Sequence, residues 1–457
     1  MTRKMKDSGI EWIGEIPEDW EIVKLKHLAL DRQAGVWGKD ESQDNLTNNK
    51  ICIRIADFDY PRMTIRKGRE FTLRNYTDNE ISKCSLQKGD ILIEKSGGGE
   101  KTPVGRTIIW NEDFQALYAN FIERLRVDKK QILPMFAQFC FFAFYGIGGS
   151  NLYFNQTTGI QNLNITGMMN DLRLPTPDLS TQIKIVDILD RKRNQIEIIK
   201  SAIIKEIQTL EDYKKSVITE AVTKGLDKNV EMKDSGIEWI GEIPKHWKIN
   251  KIGRICNVIT DFVASGSFAS IAKNVTYLDK EDYAMLVRTV DLSNKRENVN
   301  RIYINKSSYE FLRNSNLIGG EIVLPNIGAS IGDVYIVPEL YKRMSLAPNS
   351  IMIKTKYVDK YYYYCFFSKY GKILLQNLSI SSAQPKFNKT ELRNIKMMQP
   401  PKEEQEQIVR YLDKKTKLID DSIAIKQKQL ETLEEYKKSL IYEYVTGKKE
   451  VKDGEES

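Results

Sequence analysis

The chain is one unit written twice. Met5–Pro17 reads MKDSGIEWIGEIP, and the same letters return without a change at Met232–Pro244, an offset of 227. The match runs on through Trp20 and Trp247, Ile22 and Ile249, and Lys24 and Lys251. A second anchor follows: Cys140, Phe141, Phe142, Tyr145 and Gly146 recur as Cys365, Phe366, Phe367, Tyr370 and Gly371, offset 225. A third pairs Leu210, Glu211, Tyr213, Lys214, Lys215 and Ser216 with Leu433, Glu434, Tyr436, Lys437, Lys438 and Ser439, offset 223. The slow drift means that only a few residues of net insertion separate the copies. A chain of 457 residues is also too long for one ordinary core, since cores rarely grow beyond about 250 to 300 residues. Self-similarity therefore sets the organisation before any single element is read.

Between the anchors the copies part. Arg32 to Ser96 and Asp261 to Asn326 share little beyond Arg54 and Asp57 against Arg288 and Asp291. Surface loops drift in any protein, but loops on a rigid frame are also where binding specificity resides. The favoured reading is one frame that presents two different recognition surfaces.

Each copy opens on a segment with two tryptophans, Trp12 and Trp20 or Trp239 and Trp247, and a Gly-x-x-Pro spacing that marks a turn. Strand-like runs follow: Lys50 to Ile55, Asp90 to Glu94 and Phe121 to Val127, then Ala284 to Thr289, Glu321 to Leu324 and Ser350 to Lys354. Phe136 to Tyr145, behind Pro134, reads as a buried helix. Pro175-x-Pro177 and Pro400-Pro401 end these mixed α/β domains and release the chain into a new element.

After the prolines the apolar residues step by threes and fours or their multiples. In the first copy they are Leu189, Ile196, Ile199, Ile203, Ile207, Leu210 and Val217; in the second, Leu412, Ile419, Ile423, Leu430, Leu433 and Leu440. Each helix runs about 40 to 45 residues, or roughly 60 to 68 Å. So narrow a seam on so long a helix needs a partner, and the other copy's helix is the simplest. A helix bundling with its own domain is the alternative. The expected fold is two mixed α+β domains joined to two long antiparallel coiled-coil helices, with pseudo-twofold repetition. The expected divisions are a domain at 1–177, a helix at 178–226, a domain at 227–400, a helix at 401–448 and a polar tail at 449–457.

Charge points weakly to a polyanion: seventy basic against sixty-two acidic residues give a net charge of +8. Five cysteines (Cys52, Cys84, Cys140, Cys256 and Cys365) form no C-x-x-C pair, and there are two histidines, so neither a zinc site nor a disulfide framework is indicated. That usage fits a reducing cytoplasm. Met1 to Ile10 is polar and argues against a signal peptide. The apolar runs Phe136 to Tyr145 and Tyr361 to Phe367 are too short for the roughly 20 residues of a membrane span.

Two fragments imitate catalytic motifs. Ser96-Gly97-Gly98-Gly99-Glu100-Lys101-Thr102 resembles a phosphate loop, but G-x-x-x-x-G-K-T needs glycine where Lys95 and Glu100 stand. Pro103 follows, so no helix N-terminus is ready for a phosphate. Pro177-Asp178 with Asp190-Arg191-Lys192 spells a nuclease-like pattern, yet Asp190 and Lys192 sit inside the helical repeat, where residues two apart do not share a face. The plain reading is a solvated helix start. No Asn or Asp precedes Pro-Pro-Tyr or Pro-Pro-Phe, and no nucleophile stands beside a histidine base.

Taken together these residues resemble the specificity subunits of type I restriction-modification systems. The resemblance rests on Gly9-Ile10-Glu11-Trp12-Ile13-Gly14-Glu15-Ile16-Pro17 and its repeat, and on Lys88-Gly89-Asp90-Ile91-Leu92 before Ser96-Gly97-Gly98. It rests also on the Pro-rich exit into a helix that ends Tyr213-Lys214-Lys215-Ser216. The second copy departs at the glycine loop, with Asn326-Ile327-Gly328-Ala329-Ser330-Ile331-Gly332 after Glu321-Ile322-Val323-Leu324. Membership implies a non-catalytic chain with two target-recognition domains that reads a split, asymmetric site on double-stranded DNA. It also implies two modification subunits, which carry S-adenosylmethionine and methylate adenine N6, docked on the long helices. Restriction subunits that use ATP and Mg complete the complex. No cofactor is expected in this chain itself, and no membrane.

Base-edge reading needs Arg, Lys, Asn and Gln on loops that can enter a groove. The candidates are Arg54, Arg62, Arg66, Lys67, Arg69, Lys95, Lys101 and Arg106 in the first domain. In the second they are Lys273, Arg288, Lys295, Arg296, Arg301, Asn326 and Arg343. Arg54 and Arg288, each three residues before an aspartate, have a structural reading as ion pairs. Gln161 and Gln384 can reach a base or cap a turn. The helix seam, and with it the subunit interface, is assigned to Leu189, Ile196, Ile203, Leu210, Leu412, Ile419, Leu430 and Leu433. A helical scaffold with two protein-binding domains is the competing function; it explains the repeat but not the divergent basic loops.

Overall fold

The computed structural model describes residues 3–100, 102–157, 159–237, 240–293, 300–378 and 385–451. Trp239, Lys101, Lys295, Arg296 and Gln384 lie outside them. The chain divides into two compact units. One comprises Met1–Ile204 with Gln427–Ser457, the other Lys205–Lys426.

In the first unit an antiparallel sheet runs in the order Thr107–Trp110, Asp90–Glu94, Ile122–Val127, Ala29–Ala34. Every residue of the Asp90–Glu94 strand is buried, so the sheet is covered on both faces. A second, three-stranded sheet sets Ala116–Tyr118 parallel to Asn49–Ile53 and Thr72–Asn75 antiparallel to it. The helix Pro134–Gly146 begins on its proline, where a missing N–H costs nothing. It is apolar nearly all round and correspondingly buried, with Phe136, Phe139, Cys140 and Phe144 in the core.

The second unit repeats the frame. Its four-stranded sheet runs Tyr335–Ile336, Ile322–Pro325, Ser350–Thr355, Cys256–Asp261, and Ala284–Val287 again lies parallel to Met344–Leu346. Ile302–Ile304 completes the counterpart of the three-stranded sheet, and two extra strands, Tyr277–Leu278 and Asn316–Leu317, widen it to five. The sequence anchor behind Cys365 behaves differently from its twin. The first copy holds it in one helix, whereas the second breaks after Asp359–Phe367 at Ser368, whose side chain caps the next helix by accepting from the Gly371 amide. A Cβ at Gly371 would lie 2.2 Å from the Cys365 carbonyl, so the repeated glycine is required here by close approach.

The long helices are Leu179–Lys224, 46 residues, and Lys402–Val445, 44 residues. Asp178 caps the first: its carboxylate accepts from the Thr181 amide at 3.0 Å and from the Ser180 and Thr181 hydroxyls. Those hydrogen bonds hold its carboxyl down at about 2. The nuclease-like fragment is therefore a helix cap, with Asp190 paired to Arg193. Gln182 and Gln405, both fully buried, tie the helix starts down. Each amide donates to the carbonyl of its own exit proline, Pro177 or Pro400. Each side-chain oxygen accepts from the backbone ahead of the domain helix, at Leu133 or Val358.

Each unit contains its own antiparallel helix pair, built from part of each long helix. In the first unit Lys200 meets Glu434, and Lys437 meets Glu197 at 3.0 Å, so one residue number rises as the other falls. In the second unit Lys214 meets Asp420 at 2.7 Å, and Lys426 meets Glu206. Leu189, Ile196 and Ile203 are buried in the first unit, and Leu412 and Ile419 in the second. Leu210, Leu430 and Leu433 are half-buried.

The repeated opening motif is a socket for a helix end. In the first unit Ile13, Ile16 and Trp20 pack with Leu440, Ile441, Tyr444 and Val445 of the second long helix. Tyr442 donates its hydroxyl to the Trp12 carbonyl at 3.0 Å. In the second unit Ile240, Ile243 and Trp247 pack with Val217, Ile218, Ala221 and Val222 of the first long helix. Gly447 and Gly225 end these helices with φ of +70° and +76°. A Cβ at Gly447 would lie 2.3 Å from Pro17 Cδ. Ile13, Ile16 and Trp20 thus do in one unit what Ile240, Ile243 and Trp247 do in the other.

Candidate nucleic-acid interface

The residues shared by the divergent middles are a corner of the frame. Behind the strand Asn49–Ile53 the chain turns through Ile55–Asp57, and the buried Asp57 carboxylate accepts from the Arg54 amide at 2.8 Å and from its guanidinium. Arg288 and Asp291 repeat this geometry behind Ala284–Val287, with the amide contact again at 2.8 Å. These are structural ion pairs, and their recurrence needs no shared DNA base to explain it.

The first unit brings together Arg54, Arg62, Arg66, Lys67 and Arg69 on one short stretch. Arg62 pairs with Asp59 at 3.0 Å, Arg66 donates to the Phe58 carbonyl, and Arg69 donates to the Ala56 carbonyl at 2.7 Å. Lys67 is exposed with no hydrogen bond or ion pair among the described residues. Lys95 pairs with Glu123 at 3.3 Å. Arg106 is bound by both oxygens of the buried Glu94 and lies over the Tyr60 ring, 3.8 Å from its centroid.

In the second unit Lys273 and Arg301 are exposed, and Arg343 lies over the Tyr283 ring at 4.3 Å. Asn326 faces inward: its side chain donates to the Phe387 carbonyl, and its own carbonyl accepts from the Phe387 amide. It fastens a loop rather than projecting from one.

Gln161 is 3% exposed, and its side-chain oxygen accepts from the Val104 amide. A Cβ at Gly98, φ +63°, would stand 2.8 Å from that oxygen, so the glycine loop closes tightly on Gln161. Their partner is a ribbon that carries no basic residue among its described positions. Phe154–Thr157 and Ile160–Leu163 pair as a hairpin, and Ser96–Gly97 adds to its inner strand. Its signal was in the sequence: a Gly at the turn between two short runs rich in Asn and Gln.

A groove of about 2030 Å³ in the second unit is lined by helix residues such as Lys215 and Thr219 and by Tyr363, Phe367 and Val290. It mixes charge and aromatic surface, with the Tyr364 hydroxyl and Lys360 both held by Asp413. Among the described residues no group of three or more His, Cys, Asp or Glu could hold a metal ion. The five cysteines are unpaired and buried. Burial raises the thiols, that of Cys256 to about 12, which makes them poor nucleophiles. No helix among the described residues is long and apolar enough to cross a membrane.

The family model for the type I restriction modification DNA specificity domain matches the chain twice, over residues 17–209 and 244–435. The chain belongs to this family. A Methanocaldococcus jannaschii relative described as the type I restriction enzyme MjaX specificity subunit is 27% identical over 446 residues, covering 96% of each chain. The StySPI specificity subunit of Salmonella potsdam is 23% identical over 410 residues, 88% of this chain and 82% of the relative. A solved chain from work on complex assembly and conformational transition of the type I R-M system shares the fold. Its TM-score is 0.67 at 14% identity, over 94% of this chain and 98% of the other. The expected architecture of type I specificity proteins, mixed domains on two long helices with an internal repeat, is the one observed.

Proposed function

We propose that this type I specificity subunit reads an asymmetric, two-part DNA target with its two domains and docks two modification subunits through its helices. The observation that carries the reading is the doubled specificity domain, one sheet frame used twice with different loops. Two different half-sites need two different loop sets on equivalent frames. In this reading the modification subunits bring S-adenosylmethionine and methylate adenine N6, restriction subunits bring ATP-driven translocation and cleavage with Mg, and the complex works in the cytoplasm. This chain contributes recognition and geometry. It supplies no reacting group.

Genome-wide mapping of N6-methyladenine in a strain with active partner subunits, with and without this gene, tests the proposal. Loss of one asymmetric two-part motif on deletion is the expected result. An unchanged methylome overturns it and leaves a protein-binding scaffold as the better account. Salt titration of DNA affinity separates the two in vitro, because neutralising several phosphates gives a steep logarithmic slope.

A further inference from the structure

The hairpin Phe154–Leu163 has two unlike faces. On one, Phe154 packs against the first unit's core while Gln161 and Leu163 are buried. On the other, Asn155 and its cross-strand partner Asn162 are exposed, beside Ile160 at 51% exposure. The inward face anchors the ribbon. The Leu163 amide donates to the Lys95 carbonyl, and the Asn164 amide donates to the Tyr153 carbonyl. Asn162 Oδ1 accepts from the Ser96 hydroxyl at 2.6 Å, which ties the outward face to the glycine loop.

The outward amide of Asn155 has no hydrogen-bond partner among the described residues. Two basic candidates of the same unit contrast with it: Lys95 and Arg106 are held by Glu123 and Glu94. A two-stranded ribbon fits the major groove of B-DNA, an asparagine amide matches the N6 and N7 edge of adenine in a bidentate pair, and an apolar side chain suits the thymine methyl. We propose that Asn155 is a base-reading residue of the first domain and Ile160 its apolar companion, so that the half-site read by this domain contains an A·T pair contacted by the ribbon. The proposal rests on the DNA-reading function above and adds the residue and the base.

The test is the methylome of strains whose full complex carries the wild-type chain, Asn155→Ala, Asn155→Asp or Ile160→Ala. The wild type must first give a gene-dependent two-part motif; if it does not, the functional reading itself falls. With that motif in hand, Asn155→Ala relaxes discrimination at one A·T position of one half-site by about ten- to hundredfold, and the other half-site keeps its sequence. Asn155→Asp, which can only accept, moves the preference at that position toward cytosine with its N4 donor. A folding defect cannot produce such a shift. Ile160→Ala weakens selection for thymine at the same or the adjacent position. Unchanged half-sites in all three variants overturn the assignment while leaving the two-part reading intact.

Discussion

At the scale of single residues, charge type was a poor guide to role. Of the basic residues with the right chemistry for DNA, several are held by the fold itself, because a guanidinium next to a buried carboxylate forms an ion pair with it before any ligand arrives. Arg54→Ala and Arg288→Ala should each lower stability by about 1 to 3 kcal/mol, since Asp57 and Asp291 are left buried with a missing donor. Neither should change the salt dependence of DNA binding. Lys67→Ala should do the reverse, with melting temperature unchanged and the slope of log affinity against log salt reduced by about 0.9 if one phosphate contact is lost. Thermal melting alongside salt titration checks both. A slope change for Arg54→Ala without loss of stability would return that arginine to the DNA.

At the scale of elements, the helix pair of the first unit contains a lysine that is 1% exposed, Lys437, 3.0 Å from a carboxylate oxygen of Glu197 and 3.0 Å from one of Glu434. Its repeat counterpart Lys214 pairs with Asp420. Replacing a whole buried ionic cluster by well-packed apolar groups is commonly neutral or stabilising, whereas removing one side of it leaves an uncompensated buried charge and is costly. Glu197→Ala with Glu434→Ala should therefore lower the first unit's stability by roughly 3 to 5 kcal/mol, because Lys437 loses both carboxylates, and adding Lys437→Met to that pair should recover most of the loss. Denaturant unfolding of the two variants distinguishes them.

Burial raises the Glu434 carboxyl, but hydrogen bonds and charge from Lys200 and Lys437 outweigh it and hold the group below its ordinary value. A depressed carboxylate contributes stability above the ordinary pKa of about 4.3 and loses it as pH falls through the lowered folded-state value. The stability gap between wild type and Glu434→Gln should then be full near pH 7 and shrink in acid; a gap that widens in acid contradicts the assignment.

At the scale of the molecule, both chain ends belong to the first unit. Ile441 and Val445 are nearly or fully buried against Ile16 and Trp20. Truncation before Gln427 should expose that socket and abolish cooperative folding of the first unit, while residues of the second keep their protection in hydrogen exchange. Ile441→Ala is the gentler form, costing about 2 to 5 kcal/mol in the first unit alone. Exchange protection lost equally from the second unit would contradict the division.

Much of the fold was legible in the sequence because it depends on periodicity and repetition, which are properties of letter order. The repeat gave two copies of one frame; the step of threes and fours gave the long helices; the exit prolines gave where they start. Asp90–Glu94 was readable as a strand because Ile91, Leu92 and Ile93 form a short apolar run directly after Lys88-Gly89. The ribbon is harder to read, because its two runs are only four residues each and Asn and Gln are at least as common in loops as in strands.

By itself the sequence determined the number of copies, the two long helices and the family. Tertiary structure alone decided which helix end fills which socket, and which polar groups are already satisfied. Both depend on contacts between residues far apart in the chain: Tyr442 reaches Trp12, 430 positions away, and Asn326 meets Phe387, 61 positions away. A local pattern of letters carries no record of such distances, because burial and hydrogen bonding are set only when the chain has closed on itself.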